Sequence, residues 1–240
     1  FGKYSARVNT TVEDLPGNTV TVRVDVKEGD RAQIRQINIV GNRIFSDEDL
    51  LERLKLKMGN WLSFINQDDR YSREDLQGDL ETIENFYLDQ GFANFRIDSA
   101  QVAISHDKTG IFVTVNISEG ELYKLSDVKL TGEFVIPRER IENLVFAQPG
   151  QIFSQGLLTS ISELIEYELG EEGYSFAEVE AIPELNRDTK EVKVVFYIQP
   201  KSRVYVRRVN FSDTTSINDN TLRRELRQLE GGYYSKSRLE

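Results

Sequence analysis

From residue 110 to 133 the chain reads GIFVTVNISEGELYKLSDVKLTGE, and Ile111, Val113, Val115 and Ile117 alternate with Phe112, Thr114, Asn116 and Ser118. A period of two predicts a strand with one buried face. Glu119-Gly120 interrupts the run, and Leu125, Val128 and Leu130 begin another within a few residues. This handover recurs. The alternating stretches NTVTVRVDVKEG at 18 to 29 and EVKVVFYIQPKS at 191 to 202 are also followed by new strand starts, in which Ile37, Val128 and Val209 correspond. Ahead of the alternating stretches, Gly2, Gly91 and Gly173 are followed six positions on by Val8, Ile97 and Val179. The repeat is roughly 80 to 90 residues, too long for a solenoid turn, so it predicts small domains in a row. One boundary falls at residues 119 to 123.

Between the first strand of a repeat and its glycine lie two helical patterns. Ser46, ahead of Asp47-Glu48-Asp49, is an N-cap with an acidic first turn, and Leu50, Leu51 and Leu54 predict a helix of about three turns. Ser72 then caps a second helix with Leu76, Leu80, Ile83 and Tyr87 on one face and Gly91 at its end. The next repeat supplies Ile141, Leu144 and Val145, then Leu157, Ile161, Leu164, Ile165 and Leu169 ending at Gly173. Each repeat therefore reads strand, helix, helix, strand, strand.

One helix pair covers one face of a small sheet, so the other face and both edges stay in water, and open edges invite pairing with other chains. In FAEVEAIPELN, Pro183 removes a ladder donor and Glu178, Glu180 and Glu184 crowd the strand, which suits a blunted edge. The matching FRIDSAQVAIS has no proline and only Arg96 and Asp98 as charges. Its apolar phase slips from Phe95 and Ile97 to Val102 and Ile104, as a bulge across Asp98, Ser99 and Ala100 produces. The strand at 95 to 105, with Gln101 and Ala103 completing it, is the predicted binding edge.

With 39% hydrophobic and 10% aromatic residues in 240, the chain can bury a core, which excludes wholesale disorder. Forty acidic against thirty basic residues give a net charge of -10, which repels a phosphate backbone. The absence of cysteine excludes thiolate catalysis and disulfides. No apolar run approaches the roughly 18 residues of a helical membrane span, and FGKYSARVNTTVEDL lacks the apolar segment of a signal peptide. The expectation is a soluble piece, already processed or cut from a longer protein.

Catalytic patterns are weak. His106, the single histidine, lies in ISHDKTG between two strand runs and reads as a turn residue. Asp68-Asp69 has nothing around it that predicts a pocket able to separate two carboxyl pKa values. No phosphate-binding glycine loop, HExxH or EF-hand pattern occurs. The expectation is a binding protein, not an enzyme, with no cofactor and no metal. Trp61, with Leu62, Phe64 and Ile65, is either a loop packed over the helix pair or an exposed grip for a partner. TLRRELRQLEG predicts an amphipathic helix, with Leu222, Leu226 and Leu229 inward and Arg223, Arg224, Arg227 and Glu230 outward.

In order along the chain, INIVGN, GDLETIENFYLDQGFANFRIDSAQV, VTVNISEGELYKLS and RREL-RQLEG resemble the POTRA domains of the outer-membrane protein assembly factor family. The resemblance covers essentially the whole sequence. It implies an α+β fold of tandem POTRA domains, each a three-stranded sheet covered on one face by two antiparallel helices. Residues 1–29 would be the tail of a second domain, 30–120 a third, 121–201 a fourth and 202–240 the start of a fifth. It further implies a periplasmic scaffold that holds unfolded outer-membrane β-barrel proteins by strand addition. The lipoprotein BamB would dock on the third domain, with Asp98 and Val102 in its footprint, and BamD at Glu230, beside Arg224. A module of a two-partner secretion transporter, a spacer that binds no client, and an enzyme are the alternatives.

Overall fold

The computed structural model describes residues 6–17, 19–28, 32–56, 73–211 and 219–238. Trp61, Asp68, Asp69 and Ser72 lie outside them. Contacts divide the chain into two units, Phe1–Tyr87 with Asn94–Glu121, and Leu88–Ala93 with Leu122–Glu240.

In the first unit, β1 (Arg7–Leu15) and β2 (Thr19–Lys27) form an antiparallel hairpin whose valines are exposed. A separate sheet has the order β3-β5-β4, with β3 (Gln33–Val40) parallel and β4 (Arg96–Ile104) antiparallel to the central β5 (Gly110–Ser118). The alternation read from β5 is the buried face: Ile111, Val113, Val115 and Ile117 are all core residues. Between β3 and β4 come α1 (Asp47–Leu51) and α2 (Arg73–Asp89), whose last two residues group with the second unit. The second unit repeats the topology. Strand β6 (Lys124–Gly132) is parallel and β7 (Glu178–Asn186) antiparallel to the central β8 (Glu191–Gln199), and α3 (Arg138–Glu142) and α4 (Gln155–Glu171) connect β6 to β7. Helix α5 (Asp219–Glu225) and a short 3-10 turn (Lys236–Arg238) follow.

Ser46 caps α1 in a capping box with Asp49. The expected three turns shrink to five residues because the chain tightens into i→i+3 bonds at Arg53 and Leu54. Asp79 on α2 then takes the N–H groups of Lys55 and Leu56, at 2.7 and 2.8 Å. Its carboxylate is buried on the apolar face of α2 with Ile83 and Tyr87. Helix α4 buries Leu158, Ile161, Ser162, Ile165 and Leu169, whereas Leu164, expected inward, is 43% exposed. The third strand start also differs. Residues 204 to 211 form a Tyr205–Tyr233 bridge in place of a full strand; in both complete repeats this strand pairs with the third strand of its repeat, which none of the described residues after 201 supplies.

Two further features recur or stand alone. Gly41 and Gly132 end the first strand of each sheet with φ of +105° and +104°, and a Cβ there would lie 2.1 and 2.2 Å from the carbonyl oxygens of Ile117 and Ile198. Only glycine permits this approach. Glu119 is 7% exposed, and its Oε1 accepts the Tyr87 hydroxyl at 2.8 Å and the Ile44 N–H at 3.0 Å.

A candidate edge-strand site on the first unit

Strand β4 lies at the edge of its sheet, and the register shifts between Ile97 and Ser99, leaving Asp98 as the extra residue of a bulge. Asp98 is tied back to β5 by the Ser118 hydroxyl and pairs with the Arg96 guanidinium at 2.7 Å. These bonds, that of Ser118 first, hold its carboxyl below the usual aspartate range. Ser99 accepts the Asn116 side-chain amide at 2.9 Å. Phe95 is buried just before the strand, stacked on Tyr87 with centroids 4.3 Å apart. It serves the core, whereas Ala100, Gln101, Val102, Ala103 and Ile104 are exposed and Ile97 is half-buried.

The direction of the N–H groups follows from the turn. Ser105 donates its N–H to the Gly110 carbonyl at 2.9 Å and its hydroxyl accepts the Gly110 N–H at 2.7 Å, so the Ser105 N–H points toward the β5 side. Pairs alternate along an antiparallel ladder, which turns the N–H groups of Ile104, Val102 and Ala100 away from β5. Three consecutive outward donors thus face the open edge, and none has an acceptor among the described residues. The turn that sets this phase is organised by Asp107, which accepts from the Ser105 hydroxyl and from the N–H and hydroxyl of Thr109. These bonds, led by Ser105, bring its carboxyl down to about 2. His106 is an exposed residue of the same turn.

That depression has a sign. A lowered folded pKa gives stability that is present above the ordinary aspartate pKa of 3.8 and is lost as pH falls through about 2. The Thr109 amide resonance should therefore titrate with a midpoint near 2 and not near 4. Asp107→Asn should abolish the titration.

Strand β7 is the matching edge and is guarded. Its Val179 N–H points outward and donates to Glu166 Oε1 at 2.8 Å, and Pro183, of the same phase, has no N–H. Glu178 and Glu184 form ion pairs with Lys201 and Lys193. Proline was legible as a guard from sequence; the cap from Glu166 was not, because it joins a helix to a strand through a side chain.

The second candidate site lies in the other unit and differs from its expected form. Helix α5 ends at Glu225, Leu229 is 68% exposed, and Gln228 is buried in its place. Gln228 is held there because its amide donates to the Tyr233 carbonyl and accepts the Ser235 N–H. Glu230 therefore sits in a turn beyond the helix, accepting from Val209 N–H at 2.9 Å and Arg223 at 2.7 Å. The Val209 bond, then Arg223, lower its carboxyl pKa. Arg223, not Arg224, is its partner; Arg224 is exposed on α5. Among the described residues no group of His, Asp and Glu is arranged to hold a metal ion.

Two units that each carry a three-stranded sheet with its last strand in the centre and two helices between its first and second strands define a tandem α+β repeat module. Residues 32–120 and 123–201 each match the POTRA family, described as the surface antigen variable number repeat, and the chain belongs to that family. Among curated proteins it is similar to the outer membrane protein assembly factor BamA of Neisseria meningitidis serogroup B, 27% identical over 100% of this chain and 30% of the relative. BamA of Buchnera aphidicola is 30% identical over 93% of this chain and 36% of the relative. The chain thus spans about a third of the length of these relatives. Among solved structures, Haemophilus influenzae BamA POTRA3–5 superposes with a TM-score of 0.70 at 26% identity, covering 86% of this chain and 81% of that one.

Proposed function

We propose that this chain is part of the periplasmic region of an outer-membrane protein assembly factor, and that it acts by binding and not by catalysis. Residues 30–120 and 121–201 are its third and fourth POTRA domains, flanked by parts of the second and fifth. The observation that carries this reading is the row of outward N–H groups at Ala100, Val102 and Ile104 on an edge strand. An unfolded outer-membrane strand adds to such an edge through backbone bonds that do not depend on its side chains. Each bond contributes about 0.5 to 1.5 kcal/mol net, so a few of them hold a client without trapping it. The relatives named for outer membrane protein assembly support the assignment.

Val102→Pro tests it. The N–H of Val102 points away from β5, so proline there removes no bond within the sheet. Circular dichroism should show a folded protein, while affinity for strand-forming client peptides drops by about tenfold, the loss of one good bond. BamB is expected to use the same edge, across Asp98 to Ile104, and to lose affinity with it. Unchanged binding of both ligands by a folded variant favours a spacer that holds no client.

BamD is assigned to the turn carrying Glu230 and to Arg224. Glu230→Lys should weaken BamD docking in a chain that includes the whole fifth domain. Because the carboxylate also holds Val209 and Arg223, Glu230→Gln, which keeps an acceptor oxygen, separates docking from local unfolding. Arg224→Glu disturbs none of these bonds and should weaken docking as well. Equal BamD affinity across all three variants rejects the site.

A further inference from the structure

On the second unit, the C-terminal half of α4 and the turn before β7 border an open groove of about 610 Å³. Glu163, Glu166, Tyr167, Gly170 and Glu171 form one wall, spaced as a single helix face. Phe176 and Tyr234 add aromatic surface. Phe176 is 70% and Tyr167 53% exposed, and Leu164, one turn before Tyr167 on α4 and outside the groove lining, is 43% exposed.

The fold does not require these side chains. The first unit builds the same helix and turn with Thr82, Asn85 and Asn94 where the second has Leu164, Tyr167 and Phe176. Asn94 there has a structural task, accepting the Glu121 N–H at 2.9 Å. Three large apolar groups kept in water at positions where polar ones serve mark an interaction surface. Gly170 replaces Leu88 of the first repeat, and a Cβ at Gly170 would meet nothing within 4 Å, so the groove is open above it.

Charge decides what fits. Three carboxylates, Glu163, Glu166 and Glu171, line the groove against the single ammonium of Lys236. Glu166 and Glu171 already accept bonds from Val179 and Ser235, while Glu163 is exposed with no ion pair among the described residues. The aromatic faces also attract guanidinium groups.

We infer that this groove docks a peptide segment of a partner protein in which a bulky apolar side chain is flanked by arginine or lysine. The apolar group seats between Tyr167 and Phe176, the backbone crosses Gly170, and the cations meet Glu163 and Glu166. The surface is separate from the edge of β4 and does not depend on that strand's role.

The test uses a fluorescein-labelled hexapeptide, Lys-Arg-Leu-Phe-Arg-Lys, its counterpart with glutamate at every basic position, and anisotropy titrations. The basic peptide should bind saturably and more weakly as salt rises. Tyr167→Asn with Phe176→Asn, the residues the first repeat carries, should weaken it by about tenfold or more. Gly170→Leu, which fills the groove with the first repeat's leucine, should do the same, and the acidic peptide should not bind. Unchanged amide exchange on β8 shows that the variants are folded. No saturable binding by the parent, equal binding of the acidic peptide, or full affinity in both variants overturns the proposal. So does loss of binding in the full-length protein, which would mean that a later segment of the same chain fills the groove.

Discussion

Gly132→Ala is expected to remove the stable fold of the second unit while leaving the first intact. The φ of +104° alone disfavours any residue with a Cβ by about 1 to 2 kcal/mol. The larger effect is steric, since the new carbon would sit 2.2 Å from the Ile198 carbonyl oxygen, a backbone atom of the central strand. Neither partner can rotate away, so β6 and β8 must separate, and a total above about 3 kcal/mol is expected. Gly150→Ala is the control: φ is +85° with nothing within 4 Å, so only the smaller conformational cost applies. Amide hydrogen exchange reads the result strand by strand. Fast exchange on β8 with protection retained on β5 is the expected outcome, and a Gly132→Ala protein as protected as Gly150→Ala would refute the steric account.

Glu119→Ala should be the most damaging removal of a charged side chain that links α2 to the end of β5 in the first unit. It deletes the shared acceptor of the Tyr87 hydroxyl and the Ile44 N–H. The buried Tyr87 hydroxyl left unsatisfied costs about 1 to 3 kcal/mol, whereas the N–H of the exposed Ile44 can turn to water, so a loss of about 1 to 3 kcal/mol is expected in urea unfolding. Glu119→Gln should cost much less, because both bonds go to Oε1, which the amide oxygen can replace. A second readout is alkaline titration. Burial, and then the bond to Glu119, push the Tyr87 phenol well above its ordinary value of 10.0. A raised folded pKa gives stability that is complete below the unfolded value and is lost as pH climbs past it. One tyrosine should thus stay un-ionised in the ultraviolet spectrum above pH 10 until the unit unfolds. A parent protein in which every tyrosine ionises together near pH 10, while still folded, would count against the buried pair.

The strands were legible because period two is short and each run carries its own pattern, as in Ile111 to Ile117. Repeats reinforced them, and the edge positions followed from helices that cover one face. Bulge and guard were visible too, through the phase slip at Asp98 and through Pro183. What stayed hidden depends on partners distant in sequence. Leu54 was assigned to a helix, but the chain leaves helical geometry where Asp79, on another element, takes the next two N–H groups. Gln228 is buried and Leu229 exposed because two partners several residues on fix the amide. The phase of the outward N–H row rests on one bond in the hairpin turn, and no pattern of side chains encodes it.

Asp79 has a consequence for anyone wishing to rebuild the array from an idealised unit. The second repeat has Ile161 at the matching position, fully buried, so averaging the two repeats would write an aliphatic residue there. In the first unit that choice would strip the acceptor from Lys55 and Leu56 and gain only one methyl-rich side chain in return. The two cores are therefore not interchangeable residue by residue. A chimera would have to carry Asp79 together with the stretch leaving α1, as one inherited block.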